Sequence, residues 1–231
     1  MSSFVIKLIA IISMLLDHSS DVLIGHLSVL NMIGRIAFPL FAWQLSIGYN
    51  HTHNRKKYAI RLIGFALISQ IPFSFFSHII SGTYFNLNIF FTLFMGLCAI
   101  TVFDLKCNKN LLTLLIKVIM IAGLACIGQV LKMDYGAYGI LLIVAIHCYN
   151  KYKNKLWLIS SFIIWILLTY IPFINTISYP YLIALSVFSI IPIIIILLYN
   201  EKKGPSFKYF FYAFYPLHIA ILDLLYYFIL N

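Results

Sequence analysis

Charge is scarce in this chain. Only 10% of its 231 residues are Asp, Glu, Lys or Arg, and just six are acidic. A soluble domain carries about 25% charged residues, so there is too little polar side chain here to cover a water-facing globule. A disordered chain is excluded as well, since disorder depends on low hydrophobicity and high charge. The four cysteines, at 98, 107, 126 and 148, include no CxxC pair, so neither a disulfide scaffold nor a zinc site is supported. HExxH, P-loop, GxSxG and GxGxxG strings are all absent. A cleavable signal peptide is not indicated either. Lys7 interrupts the first apolar run, and Asp17-His18 stands where a small-residue cleavage site belongs, so this segment is expected to be a retained helix.

What the chain has in quantity is apolar length. Hydrophobic residues make up 63% of it, and the mean hydropathy is +0.99. The expected fold is all-α: a single integral membrane bundle over residues 1–231. A spanning helix takes about 20 apolar residues, which allows about nine spans, within a range of eight to ten. They fall at 4–24, 28–49, 58–80, 87–103, 111–131, 137–149, 156–174, 180–199 and 209–230.

Sixteen Lys and Arg against six Asp and Glu give a net charge of +10. In a soluble protein that excess would suggest nucleic acid. Here the basic residues gather in alternate loops, so no nucleic-acid partner is expected. The segments 51–57, 104–109, 151–155 and 201–208 hold eleven Lys and Arg, and the intervening connections hold one, Lys132. By the positive-inside rule this places the N-terminus in the cytoplasm and the C-terminus outside. No internal repeat supports an inverted-repeat transporter.

An ionisable side chain inside a span costs about 2.5–3.5 kcal/mol on insertion scales, so each is a candidate for function. The first span carries Lys7, Asp17, His18 and Asp21. Helical spacing puts Lys7, Met14 and His18 on one face with Asp21 close by. Asp17 points about 100° away from His18, and Asp21, one turn on, has the better angle to support the imidazole. The second span carries Asn31 and, one turn later, Arg35 in GRIAFP. A guanidinium cannot deprotonate and needs an anion, either Asp17 or Asp21 or a ligand. Pro39 is expected to release a backbone hydrogen bond near Arg35 and kink the helix. The last span carries Tyr215, Pro216 and His218, with Tyr215 and His218 on one face. Asn88 opens the fourth span. Asp134-Tyr135-Gly136 leads into the sixth, where Asp134 is a candidate N-cap. Arg55-Lys56-Lys57, with Arg61 one turn on, marks topology and also a cytoplasmic mouth for an anionic cofactor.

Four stretches together resemble the TraX family of conjugation-associated membrane proteins. They are KLIAIISMLLDH (residues 7–18), IGRIAFPLFAWQLSIGYNHTHNRKKYAIRLIGFALISQIP (33–72), NIFFTLFMGL (88–97) with DYGAYG (134–139), and FYAFYPLH (211–218). The DH, GRIAFPLF and FYPLH strings carry the specificity. Spans five, seven and eight add only hydrophobicity.

The resemblance implies an inner-membrane acyltransferase, like the pilin N-acetyltransferase that gives the family its name and the wider transmembrane acyltransferase group. The implied acyl donor is cytoplasmic acetyl-CoA. The implied acceptor is an envelope-exposed peptide, pilin-like protein or glycan, and the setting is the bacterial cytoplasmic membrane with its lipid. His18 is then the acyl-transfer histidine and Arg35 its partner. Asp17 or Asp21 supports His18, and His218 is a competing base. Arg55, Lys56, Lys57 and Arg61 receive the donor, with Asn31, Asn88, Asp134, Tyr135 and Tyr215 in support. A small channel or permease using the same residues as a proton relay, or a non-catalytic accessory subunit, stays open from the residues alone.

Overall fold

The computed structural model describes residues 1–25, 27–106 and 110–230. The described residues are helical, with no named strand. Among the described residues, six helices are long and apolar enough to cross a membrane. In chain order the helices are α1 (Ser3–Leu23), α2 (Val29–Gly34), α3 (Ala37–His51), α4 (Arg55–Ser81), α5 (Ile89–Phe103), α6 (Leu111–Val130), α7 (Gly136–Tyr152), α8 (Lys155–Tyr170), α9 (Tyr179–Leu197) and α10 (Lys208–Leu225).

Short polar residues punctuate the helix starts. Ser2, Asn54, Asn88, Asn110 and Asn154 each accept from an otherwise unpaired amide of the first turn. Ser28 and Asn31 form a reciprocal capping box on α2. At the end of α4, Gly82 takes a left-handed conformation (φ +69°), and its amide donates to the His78 carbonyl.

The expected second span is not one helix. It breaks at Arg35-Ile36, where the amides of both residues reach back only three positions, to Met32 and Ile33. Pro39 explains the break. It has no amide for the Arg35 carbonyl, and it is tolerated where it stands because this is the first turn of α3. The other expected spans match helices to within a few residues. Cys107 and Lys109, in a loop read as basic, lie outside the described residues.

α1 and α3 form the centre. α1 packs on α2, α3, α4 and α10, and α3 packs on α5, α7 and α9. α6 is peripheral and touches α5 and α7. Its outer face exposes Leu112, Val118, Ile119, Ile127 and Val130, a surface suited to lipid rather than water. One end of the bundle collects the basic connections. At the other end, the α4–α5 and α6–α7 connections pair through Leu87 and Met133, and Thr92 donates its hydroxyl proton to the Asp134 carbonyl. That pairing sets Asp134 and Tyr135 over the site.

Candidate active site

α1 presents Met14, Asp17, His18 and Asp21 to a cavity of about 400 Å³, whose other walls include Arg35, Phe38, Phe76, Asn86, Asp134 and Tyr135. Arg35 Nη2 donates to both oxygens of Asp17, at 2.9 Å each, and Arg35 Nε donates to the Asn31 carbonyl at 3.1 Å. Asn31 Nδ2 donates to Asp17 Oδ1 at 3.1 Å and to Asp21 Oδ1 at 2.9 Å. The contact is close because residue 34 is glycine. A Cβ there would stand 2.3 Å from Asp17 Cγ. The helix break thus brings a side-chain-free backbone against Asp17 and leaves Arg35 on the cavity wall.

His18 has a different partner. Its Nδ1 lies 2.8 Å from His218 Nε2, and the planes of the two rings lie within 5° of parallel. His218 Nδ1 lies 2.8 Å from the Phe214 carbonyl. A carbonyl only accepts, so His218 Nδ1 carries a proton. In neutral His218 the Nε2 is then an acceptor, and His18 Nδ1 must donate to it. Neutral His18 is left with its lone pair on Nε2. The network therefore assigns one tautomer to each ring and fixes which nitrogen of His18 can take a proton.

A second cavity, about 580 Å³, opens at the basic end. Lys7, Arg61 and Lys203 supply positive charge, and Tyr58, Phe211 and Tyr212 supply aromatic wall. Met14, Phe41, Ile89 and Tyr215 line both cavities. The two cavities therefore adjoin at these four side chains, and His18 lies one helical turn beyond Met14.

The family model described as TraX protein matches residues 2–226. A probable fimbrial assembly protein FimC (serogroup H1) of Dichelobacter nodosus is 31% identical, over 96% of this chain and 94% of its own length. Protein TraX of Escherichia coli is 40% identical over a shorter stretch, 31% of this chain and 29% of its own. This chain belongs to the TraX family. No solved structure matches it.

In this TraX-family chain several sequence expectations come together, and others need correction. Asp17, His18, Asp21, Arg35, Asp134, Tyr135 and Tyr215 line one cavity. Asp17 is the anion for Arg35. Among the described residues, no hydrogen bond joins Asp17 or Asp21 to His18. Both are turned to Asn31, and the support comes from His218 instead. His218 is not on the cavity wall but directly behind His18. Of the expected cofactor residues only Arg61 lines the basic cavity. Arg55 stacks on Tyr49 at 4.0 Å from the ring centroid, and Lys56 and Lys57 are exposed.

Asn88 is structural. It caps α5 while donating to the Ala66 carbonyl and to Gln70 Oε1, and it is fully buried. Asp134 does not cap α7. Tyr135 holds the N-cap position in a left-handed conformation (φ +61°), with its ring stacked 3.9 Å from Phe38. Burial pushes the Asp134 carboxyl up to about 7, with Arg35 pulling the other way.

The sequence reading missed a buried chain between α3, α5 and α7. Asn150 Nδ2 donates to Ser46 Oγ at 2.8 Å. Ser46 Oγ lies 3.0 Å from His147 Nδ1, and His147 Nε2 donates to Asp104 Oδ2 at 3.2 Å. Lys151 Nζ closes it on Asp104 Oδ1 at 2.5 Å. The order serine–histidine–aspartate invites a catalytic interpretation. Ser46 and His147 are both fully buried, however, and neither cavity reaches them. It is a clamp. Its only sequence signal was a histidine and an asparagine facing one way near the end of an apolar span.

Proposed function

We propose that this protein is an integral membrane acyltransferase, crossing the bacterial cytoplasmic membrane nine times with its N-terminus and basic end in the cytoplasm. It would transfer acetyl from acetyl-CoA to an amine or hydroxyl of an envelope-exposed acceptor. The observation that carries this reading is the pair of cavities opening at opposite ends and adjoining at four side chains beside His18. A donor and an acceptor on opposite sides of a membrane need that arrangement. An ion relay needs a continuous polar file, and three of the four residues shared by the two cavities, Met14, Phe41 and Ile89, are apolar.

The basic-end cavity suits the donor. Lys7, Arg61 and Lys203 would meet its phosphates, and the aromatic wall would take its base and its pantetheine arm. The other cavity suits the acceptor. His18 Nε2 would remove the proton from the acceptor nucleophile as it attacks the thioester carbon, and would return it to the departing thiolate. Arg35, fixed by Asp17, would face the negative charge developing on the carbonyl oxygen. The name of the full-length relative, a fimbrial assembly protein, favours a pilin-like acceptor over a glycan.

Kinetics of acetyl-CoA use in native membranes test the donor site. Arg61→Ala is expected to raise the KM for acetyl-CoA about tenfold or more, on the scale of one lost charge-assisted contact of roughly 1.5–3 kcal/mol. Lys56→Ala is expected to leave KM unchanged. Equal effects of the two substitutions would remove the basic-end cavity from the reading.

A further inference from the structure

Tyr215 is buried to 3% exposure, and among the described residues its hydroxyl proton has no acceptor. The neighbouring Ile89 amide can only donate to the phenol oxygen and leaves that proton unpaired. A buried hydroxyl with an unpaired proton is unfavourable, and where one persists it calls for an explanation, a catalytic role or an ordered water or ion among them. The position of Tyr215 gives the missing acceptor an address. It is one of the four residues that line both cavities, and the other three, Met14, Phe41 and Ile89, offer no polar side-chain group. Its ring is 6.3 Å from the His18 ring and 5.7 Å from the His218 ring, edge-on to each. α10 holds it there by the spacing that also places His218, three residues on, behind His18.

We propose that Tyr215 is a catalytic residue that donates its hydroxyl proton as a hydrogen bond to the thioester carbonyl oxygen, and so fixes the reacting carbon where the two cavities adjoin. This rests on the acyltransferase reading and adds where the chemistry happens and what holds it. The thioester arm enters from the basic-end cavity and parts the contact between Tyr215 and its three apolar neighbours. The acceptor nucleophile comes from the His18 side. As its nitrogen or oxygen bonds to the carbonyl carbon, its proton passes to His18 Nε2. The carbonyl π electrons move onto oxygen, where the Tyr215 hydroxyl and Arg35 receive the charge. The carbonyl then re-forms, the carbon–sulfur bond breaks, and the thiolate leaves with the proton held by His18. Met14, Phe41 and Ile89 keep water from the thioester until the acceptor is in place.

Tyr215→Phe removes only the hydroxyl. The assay uses native membranes containing the protein, with radiolabelled acetyl-CoA as the probe and label in envelope protein as the readout, normalised to the folded fraction of each variant. Loss of one oxyanion donor typically slows turnover by about 10²–10³-fold. Tyr215→Phe is therefore expected to lower kcat at least tenfold, to change the KM for acetyl-CoA less than twofold, and to melt no earlier than the wild type. A packing role would show instead as earlier melting with normal kcat per folded molecule. Normalised kcat within twofold of wild type overturns the proposal while leaving the acyltransferase reading intact. If the wild-type protein itself transfers no label, both fall.

Discussion

At the residue scale, most of what the site needs is a set of short polar side chains held by one another. Asp17 neutralises Arg35, Asn31 ties Asp17 to Asp21, and Gly34 lets α2 approach Asp17 closely enough for all three. Gly34 is thus as necessary as the charged residues although it bears no chemistry. A methyl group at 34 falls 2.3 Å from Asp17 Cγ, and overpacking of this kind costs about 1–3 kcal/mol. Gly34→Ala is expected to destabilise the protein by that amount and to remove most acyl transfer, as Asp17→Asn would. Gly64, whose added methyl meets nothing within 4 Å, supplies the control. Detergent melting curves of both variants check this, and a Gly34→Ala protein as stable and active as Gly64→Ala would contradict it. The contribution of the glycine was legible in the GRIAFP string only as a resemblance. Its physical reason needs the neighbouring helix.

At the element scale, periodicity exposed what lies along one helix and concealed what lies between helices. The shared face of Met14, His18 and Asp21 was legible because 3.6-residue spacing fixes it. The bond from His18 to His218 joins residues two hundred positions apart, and no local pattern encodes it. For the same reason Asp21 looked the better partner for His18. One turn of spacing gives the right angle, but Asn31 from α2 takes that carboxylate first. The break between α2 and α3 followed from Pro39. The clamp of Ser46, His147, Asp104 and Lys151 did not follow from any pattern, since it draws on three helices.

That clamp makes stability depend on pH. Partial burial alone would raise the Asp104 carboxyl, but Lys151 and His147 hold it below the usual carboxylate range. A depressed carboxylate stabilises the fold above its unfolded pKa, near 4, and that stabilisation is lost as pH falls through the lower folded value. The wild-type melting temperature is therefore expected to fall more steeply with acidification below about pH 4 than that of Asp104→Asn. Parallel slopes in the two melting series would show that the clamp contributes nothing.

At the scale of the whole molecule, apolar composition and alternating basic loops are enough to indicate an all-helical membrane protein. They do not indicate two cavities that adjoin at four side chains. The two cavities arise because α1 and α3 run through the centre of the bundle, so the polar positions of α1 face different spaces above and below Met14. Lys7 belongs to the basic end, and His18 to the other. A sequence shows the stripe but not where the stripe is interrupted, because Phe41, Ile89 and Tyr215 come from three other helices. The same arrangement explains why the expected cofactor residues and the basic cavity overlap only at Arg61. Charge density along the chain pointed to residues 55–57, whereas the cavity takes its charges singly, from α1, α4 and the connection before α10.

The central claim is that His18 moves a proton while an acetyl group passes from one end of the bundle to the other. Sealed inverted membrane vesicles test both parts together, with radiolabelled acetyl-CoA added only outside, at the cytoplasmic face. Wild-type vesicles are expected to accumulate label on protein that added protease cannot reach. His18→Gln keeps hydrogen bonding but cannot act as base at neutral pH, and general-base assistance is worth about 10²–10⁴-fold. The variant, matched for insertion and folding, is therefore expected to label at least about a hundredfold more slowly. Near-normal labelling of the protected protein by His18→Gln vesicles would contradict the account.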